Sequence, residues 1–192
     1  MASETELTTE DQYYLLSLAR KTLEHLGKRG TAKPPEEDVV TQPIPPALLV
    51  PSGVFVSLHK GDSLRGCIGY IQAVKPLWET VQEMAVAAAF HDPRFPSLKA
   101  DEIQDLTLEV SVLSPLKCIK NIEEIEVGKH GLYIVRGYNC GLLLPQVAVE
   151  YGWDRDCFLG EACCKAGLPP HAWKDKETEI YIFSADYFGD TT

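Results

Sequence analysis

Apolar residues recur every three to four positions from Thr8 to about Lys28, at Tyr14, Leu15, Leu18, Ala19, Leu23 and Leu26. That stripe predicts an amphipathic helix. Thr8 or Thr9 stands where a cap belongs, Glu10 and Asp11 fill the first turn, and Gly27 and Gly30 mark the stop. The stretch KPPEEDVVTQPIPPALLVPSG carries too much proline for a helix or a central strand. It predicts an extended surface segment strapped over the core, with Leu48, Leu49 and Val50 as anchors.

The period then changes to two. Val54, Val56 and Leu58 alternate with Phe55, Ser57 and His59, and after Gly61-Asp62 a second run sets Arg65, Cys67 and Gly69 against Gly66, Ile68 and Tyr70. This predicts a β-hairpin. A two-residue loop places Cys67 opposite Val56. A three-residue loop places Cys67 opposite Ser57 and Arg65 opposite His59, which separates polar from apolar better and is the expected register. PLWETVQEMAVAAAFHD predicts a helix with Leu77, Val81, Met84, Ala85 and Ala88 inward, ended by Pro93. Further on, ADEIQDLTLEVSVLSP predicts a helical turn and a strand with Glu109 on the more polar face. GKHGLYIVRGYNCGLLLP predicts a hairpin turned at Gly137 to Asn139. PQVAVEYGW and DRDCFLGEACCKAGL predict helices, and ETEIYIFSADYFG one last strand. Helices and strands mix without βαβ alternation, which predicts an α+β fold with antiparallel sheets.

Composition narrows the function. The chain has 192 residues, 45% of them apolar, and a net charge of -10. That acidity, without a Lys/Arg cluster, argues against nucleic acid as the ligand. No apolar run is long enough to span a membrane and the first residues lack a signal pattern, so a cytoplasmic protein is expected. The six cysteines form no C-x-x-C pair and the histidines no H-x3–5-H pair, so no metal centre is expected. The spacing names no cofactor.

Two segments carry candidate chemistry. In SLRGCIGY, Arg65 stands two positions from Cys67, where a cation would favour the thiolate. Gly66 and Gly69 would let a substrate approach the backbone, and His59 is a cross-strand candidate base. The competing reading is a buried strand cysteine with glycines that serve packing. In HDPRFPSL, Asp92 is a candidate acid/base and Arg94 a candidate anion clamp; alternatively Asp92 bonds its own loop and Arg94 pairs with a carboxylate. Glu109, Gln146 and Glu150 add polar groups able to converge on a site or simply to face solvent. Trp78, Trp153 and Trp173 read as packing residues.

Taken together, LRGCIGY, DPRFPSL, LEVSVLSP and GLLLPQVAVEYGW with FLGEACCKAGL resemble the AMMECR-type domain family, known in prokaryotes as protein A of the AmmeMemoRadiSam system. The likeness runs from about Phe55 to Trp173. It implies an α+β fold of two lobes, each an antiparallel sheet with flanking helices, with the signature at a cleft between them. The larger lobe would hold both termini: residues 1–118 and 177–192 carry the motif, and 119–176 form the smaller lobe. The resemblance further implies a pathway shared with a Memo-type protein and a radical-SAM protein. Two functions stay open. One is an enzyme or enzyme component using Cys67, with His59, Asp92 and Glu109 as proton carriers and Arg65, Gly66, Gly69, Arg94 and Gln146 as substrate contacts. The other is a non-catalytic module that binds a protein or peptide.

Overall fold

The computed structural model describes residues 7–29, 42–72 and 74–190. Along the chain come α1 (Thr9–Arg29), β1 (Gly53–Lys60), β2 (Ser63–Tyr70), α2 (Leu77–Phe90) and β3 (Leu106–Leu113). Then follow β4 (Lys117–Ile119), β5 (Gly131–Arg136), β6 (Asn139–Leu143), α3 (Pro145–Glu150), α4 (Arg155–Lys165), β7 (Glu179–Phe183) and β8 (Ala185–Gly189). Short 3-10 turns include Pro46–Leu49 and Ala100–Asp105.

The chain divides into two units. The first holds the described residues up to Leu113 and from Asp186 onward; the second is Ser114–Ala185. Each unit carries one four-stranded sheet, ordered β2-β1-β3-β8 in the first and β4-β7-β5-β6 in the second; β1 runs antiparallel to β2 and β3, β7 to β4 and β5, and β5 to β6. The fold class is thus α+β. The boundaries expected at 118/119 and 176/177 stand beside divisions after Leu113 and Ala185. The expected single last strand is two strands parted at Ser184: β7 joins the second sheet and β8 the first. The apolar run of that segment has no turn signal strong enough to show the break.

In the first unit α1 starts on a reciprocal cap. Asp11 N–H donates to Thr8 Oγ1 at 3.2 Å, and Thr8 N–H donates to Asp11 Oδ2 at 3.0 Å. The helix runs through Gly27 rather than stopping there. A Cβ at Gly27 would meet Ile103 Cδ1, so that glycine serves packing against the Ala100–Asp105 turn. Leu15, Leu23, Leu77, Val81 and Met84 from the two helices pack on Val54, Val56, Leu58, Leu108 and Val110, the apolar face of the sheet. Burial of such side chains is worth roughly 1.5–3 kcal/mol each before entropy is counted. Of the three anchors expected in the proline-rich segment, Leu48 is sealed while Leu49 and Val50 are about half exposed; part of that segment, residues 33–41, lies outside the described residues.

The second unit packs Leu132, Ile134 and Ile182 of its sheet against Phe158, Leu159 and Ala162 of α4. Asp154 caps α4 by accepting from Cys157 N–H at 2.8 Å, and Gly167, at φ +74°, follows its end. Trp153 and Trp173 pack on this core and Trp78 on the first.

Candidate functional site

The pleat puts alternate side chains of β1 to β3 on opposite faces. One face bears the core. The other carries Phe55, Ser57 and His59 on β1, Cys67 and Gly69 on β2, and Thr107, Glu109 and Ser111 on β3. Register aligns Cys67, Ser57 and Glu109 as one row across three strands.

That register arises by a route the loop argument missed. The hairpin turns on two residues, Gly61 and Asp62, with Lys60 opposite Ser63 and Gly61 at φ +57°. A β-bulge then intervenes: His59 pairs with Leu64, Leu58 with Gly66, and Arg65 is the extra residue. Cys67 reaches Ser57 as expected, whereas Arg65 does not face His59.

Within the row, Ser57 Oγ–H donates to Cys67 Sγ at 3.2 Å. Ser57 is buried; Cys67 and Glu109 are partly exposed. Burial pushes the Cys67 thiol up, more than the Ser57 hydrogen bond and the nearby Arg94 charge pull it down; Asp92 and Glu109 add to the rise. The resting thiol is therefore protonated at neutral pH. No ion pair or hydrogen bond engages the Glu109 carboxylate among the described residues.

Arg65 is not the thiol's counter-cation. Its Nε and Nη2 donate to the two oxygens of Glu102, each at 3.1 Å, and its Nη1 donates to the Pro96 carbonyl at 2.9 Å. This bidentate pair holds the Glu102 carboxyl down at about 2, helped by the Lys99 backbone N–H. The bulge aims Arg65 at this partner. Nothing in the spacing announced Glu102, which sits on a turn 37 residues further along.

Asp92 and Arg94 form the second clamp. Cys67 N–H donates to Asp92 Oδ2 at 2.9 Å, and Arg94 Nη2 donates to the Cys67 carbonyl at 3.1 Å. Arg94 also donates to Asp92 from Nε at 3.0 Å and from Nη2 at 2.7 Å. The Asp92 carboxylate is buried and held far below the usual carboxylate range, first by the Arg94 side chain and then by backbone N–H groups. It accepts hydrogen bonds from the backbone N–H groups of Cys67 and Arg94 and from the Arg94 side chain. β2 is an edge strand. The two side chains thus occupy the backbone groups that a neighbouring strand would otherwise pair. With its N–H and C=O both turned outward, Cys67 forms a non-hydrogen-bonded pair with Ser57, the closer of the two antiparallel pair types. The loop is tied to its helix by Leu98 N–H donating to the Ala89 carbonyl at 2.9 Å.

The glycines face this chain's own atoms. A Cβ on Gly66 would lie 2.1 Å from the Ala88 carbonyl oxygen of α2, and one on Gly69 would lie 2.4 Å from Phe55 Cγ. His59 shares the polar face but makes no hydrogen bond to Cys67 among the described residues. Gln146 belongs to the second unit, on α3, where its Oε1 is buried without a partner among the described residues. Among those residues no group of three or more His, Cys, Asp or Glu is placed to hold a metal ion, and no helix is long and apolar enough to cross a membrane.

Comparison with known proteins returns one family. The AMMECR1 family model matches residues 16–188. Protein MK0488 of Methanopyrus kandleri is 44% identical over 195 residues, covering 95% of this chain and 90% of the relative. Protein PF1979 of Pyrococcus furiosus is 43% identical, covering 91% and 86%. The crystal structure of the uncharacterized protein PH0010 from Pyrococcus horikoshii superposes with a TM-score of 0.86 at 41% identity, covering 96% of this chain and 93% of that one.

Proposed function

This chain belongs to the AMMECR1 family, and from that premise we propose that it is a non-catalytic binding module. Its ligand is a basic group of a protein or peptide partner, received at the Cys67–Ser57–Glu109 row. One observation carries this reading: the charges around the row are spent on each other, Arg65 with Glu102 and Asp92 with Arg94, while Glu109 is left uncommitted among the described residues. A partly exposed carboxylate beside a hydroxyl and a protonated thiol suits a lysine or arginine head. The chain's net charge of -10 favours such a partner at long range.

A second reading, an enzyme component in which Cys67 is nucleophile or redox thiol, is supported by Ser57 and Arg94, both of which stabilise a thiolate. Burial outweighs them in the resting protein, which favours binding over nucleophilic chemistry. The first partners to test are a Memo-type protein and a radical-SAM protein of the same pathway, the pair implied by the family resemblance.

Capture of each purified partner by the wild-type chain, Cys67→Ser, Glu109→Gln and Arg65→Ala decides between the readings. Binding predicts that Cys67→Ser captures as wild type does, while Glu109→Gln weakens capture and Arg65→Ala, which frees the Glu102 carboxylate, does not. Loss with Cys67→Ser, together with a covalent adduct on wild-type Cys67 by intact mass, would overturn it in favour of the enzyme.

A further inference from the structure

The second unit carries an exposed strip with no role in the reading above. Val149 and Tyr151 are 62% and 68% exposed, and Val127 is exposed beside them. Loop and helix meet here: a Cβ on Gly128 would lie 3.1 Å from Val149 Cγ2. The Tyr151 ring stacks on Trp153 at 4.9 Å with planes 16° apart, and Trp153 leans on Phe158 at 6.5 Å. Phe158 is sealed in the core, so the outermost ring is backed by a rigid aromatic column.

The turn that presents Tyr151 is fixed as well. Gly152 takes φ +65°, and the N–H groups of Tyr151, Gly152 and Trp153 close on the carbonyls of Val147, Val149 and Ala148. Glu150 precedes Tyr151 in the chain and Asp154 and Asp156 follow within five residues; none has a cationic partner among the described residues, and one oxygen of Asp154 accepts from Cys157 N–H. Arg155, between the two aspartates, turns away to Glu123 at 2.6 Å and to the Ile125 carbonyl at 3.2 Å. Lys129 is taken by Glu126 at 3.0 Å.

We propose that Val127, Val149 and Tyr151, with the acidic Glu150, Asp154 and Asp156 next to Tyr151 in the chain, dock a basic protein segment that presents an arginine or lysine beside an aliphatic side chain. The apolar strip takes the aliphatic group. The open face of Tyr151 takes the cation, and the carboxylates fix its charge. Charge complementarity selects this occupant over a second copy of the chain, because two acidic rims repel. The inference does not rest on Glu109.

The test is an NMR titration of the isotope-labelled full chain with a blocked Leu-Arg-Leu-Arg peptide, with Leu-Gln-Leu-Gln as control. Saturable shifts are expected at Val127, Val149 and the Trp153 indole. The dissociation constant should rise about tenfold for Tyr151→Ala and for the double variant Glu150→Gln/Asp156→Asn. It should also rise with salt. Equal binding of the neutral peptide would overturn the proposal. So would shifts confined to β1–β3, or concentration-dependent shifts at the strip without peptide, which mark self-association.

Discussion

Replacing Gly66 by alanine separates a packing role from a ligand-facing one. The added methyl would sit 2.1 Å from the Ala88 carbonyl oxygen, where ordinary contact begins at 3.4 Å. Helix α2 and strand β2 would have to part by about 1.3 Å at that point. The obstacle is backbone in the last turn of α2, so no side chain can swing aside. Overpacking of this kind costs about 1–3 kcal/mol, and a backbone obstacle places Gly66→Ala at about 3 kcal/mol. With a urea m-value of about 2 kcal/mol per molar, the midpoint of first-unit unfolding falls by about 1.5 M. Hydrogen exchange of the β1 and β2 amides across a urea series reads this unit by itself. Gly61→Ala is the internal control: nothing lies within 4 Å of its Cβ, and only the positive φ of +57° resists. Its expected cost is about 1 kcal/mol. A Gly66→Ala chain as stable as wild type that nonetheless loses partner capture would refute the packing argument and make Gly66 a ligand contact.

Three further outcomes follow from the two clamps and the thiol. Cys67 should alkylate more slowly than the exposed Cys118, Cys140 and Cys164 at neutral pH, with its rate rising only above the ordinary thiol range; Ser57→Ala should move that rise higher still, as peptide mass spectrometry across pH would record. Asp92 releases its proton far more readily folded than unfolded, so its stabilisation is full above pH 4 or so and drains away as pH falls toward the folded value. Asp92→Asn should therefore cost about 2 kcal/mol at pH 7, a figure already discounted for the exposed Arg94 side chain, and flatten the acid limb of the unfolding curve. Arg65→Lys cannot keep the two-pronged bond to Glu102; a loss of about 1–2 kcal/mol is expected, the Glu102 carboxyl should titrate closer to 4.5 than to about 2 by NMR, and the stability that wild type loses between those pH values should shrink.

Periodicity made most of the scaffold legible. The α2 stripe, the two hairpins, the alternation that puts Glu109 on the polar face and the Asp154 cap all follow from local rules, because each depends on neighbours in the chain. The pairing of Cys67 with Ser57 was also legible from the segregation of polar and apolar positions. The bulge at Arg65 was not, since a two-residue turn plus one extra residue gives that pairing the same alignment as a three-residue loop. Its consequence, the pairing of Arg65 with Glu102, links residues far apart in sequence and has no local signature. The break at Ser184 was hidden for a related reason: which sheet a β-forming run joins is decided by tertiary partners. Asp92 and Arg94 were visible as a charged pair on a proline-bounded loop, but that they grip the backbone of the motif is a fact of three-dimensional placement.

The grip on Cys67 also bears on how this chain tolerates crowding with its own kind. An unpaired strand rim invites another strand, and natural sheets blunt such rims in various ways. Here the blunting rests on one carboxylate and one guanidinium at the rim beside Cys67. Damage to Arg94 would leave the interior packing largely as it is while baring a template for intermolecular pairing. The signs of its loss would be clumping on storage or overexpression together with a lowered melting temperature, because the buried Asp92 carboxylate would be left without its cation.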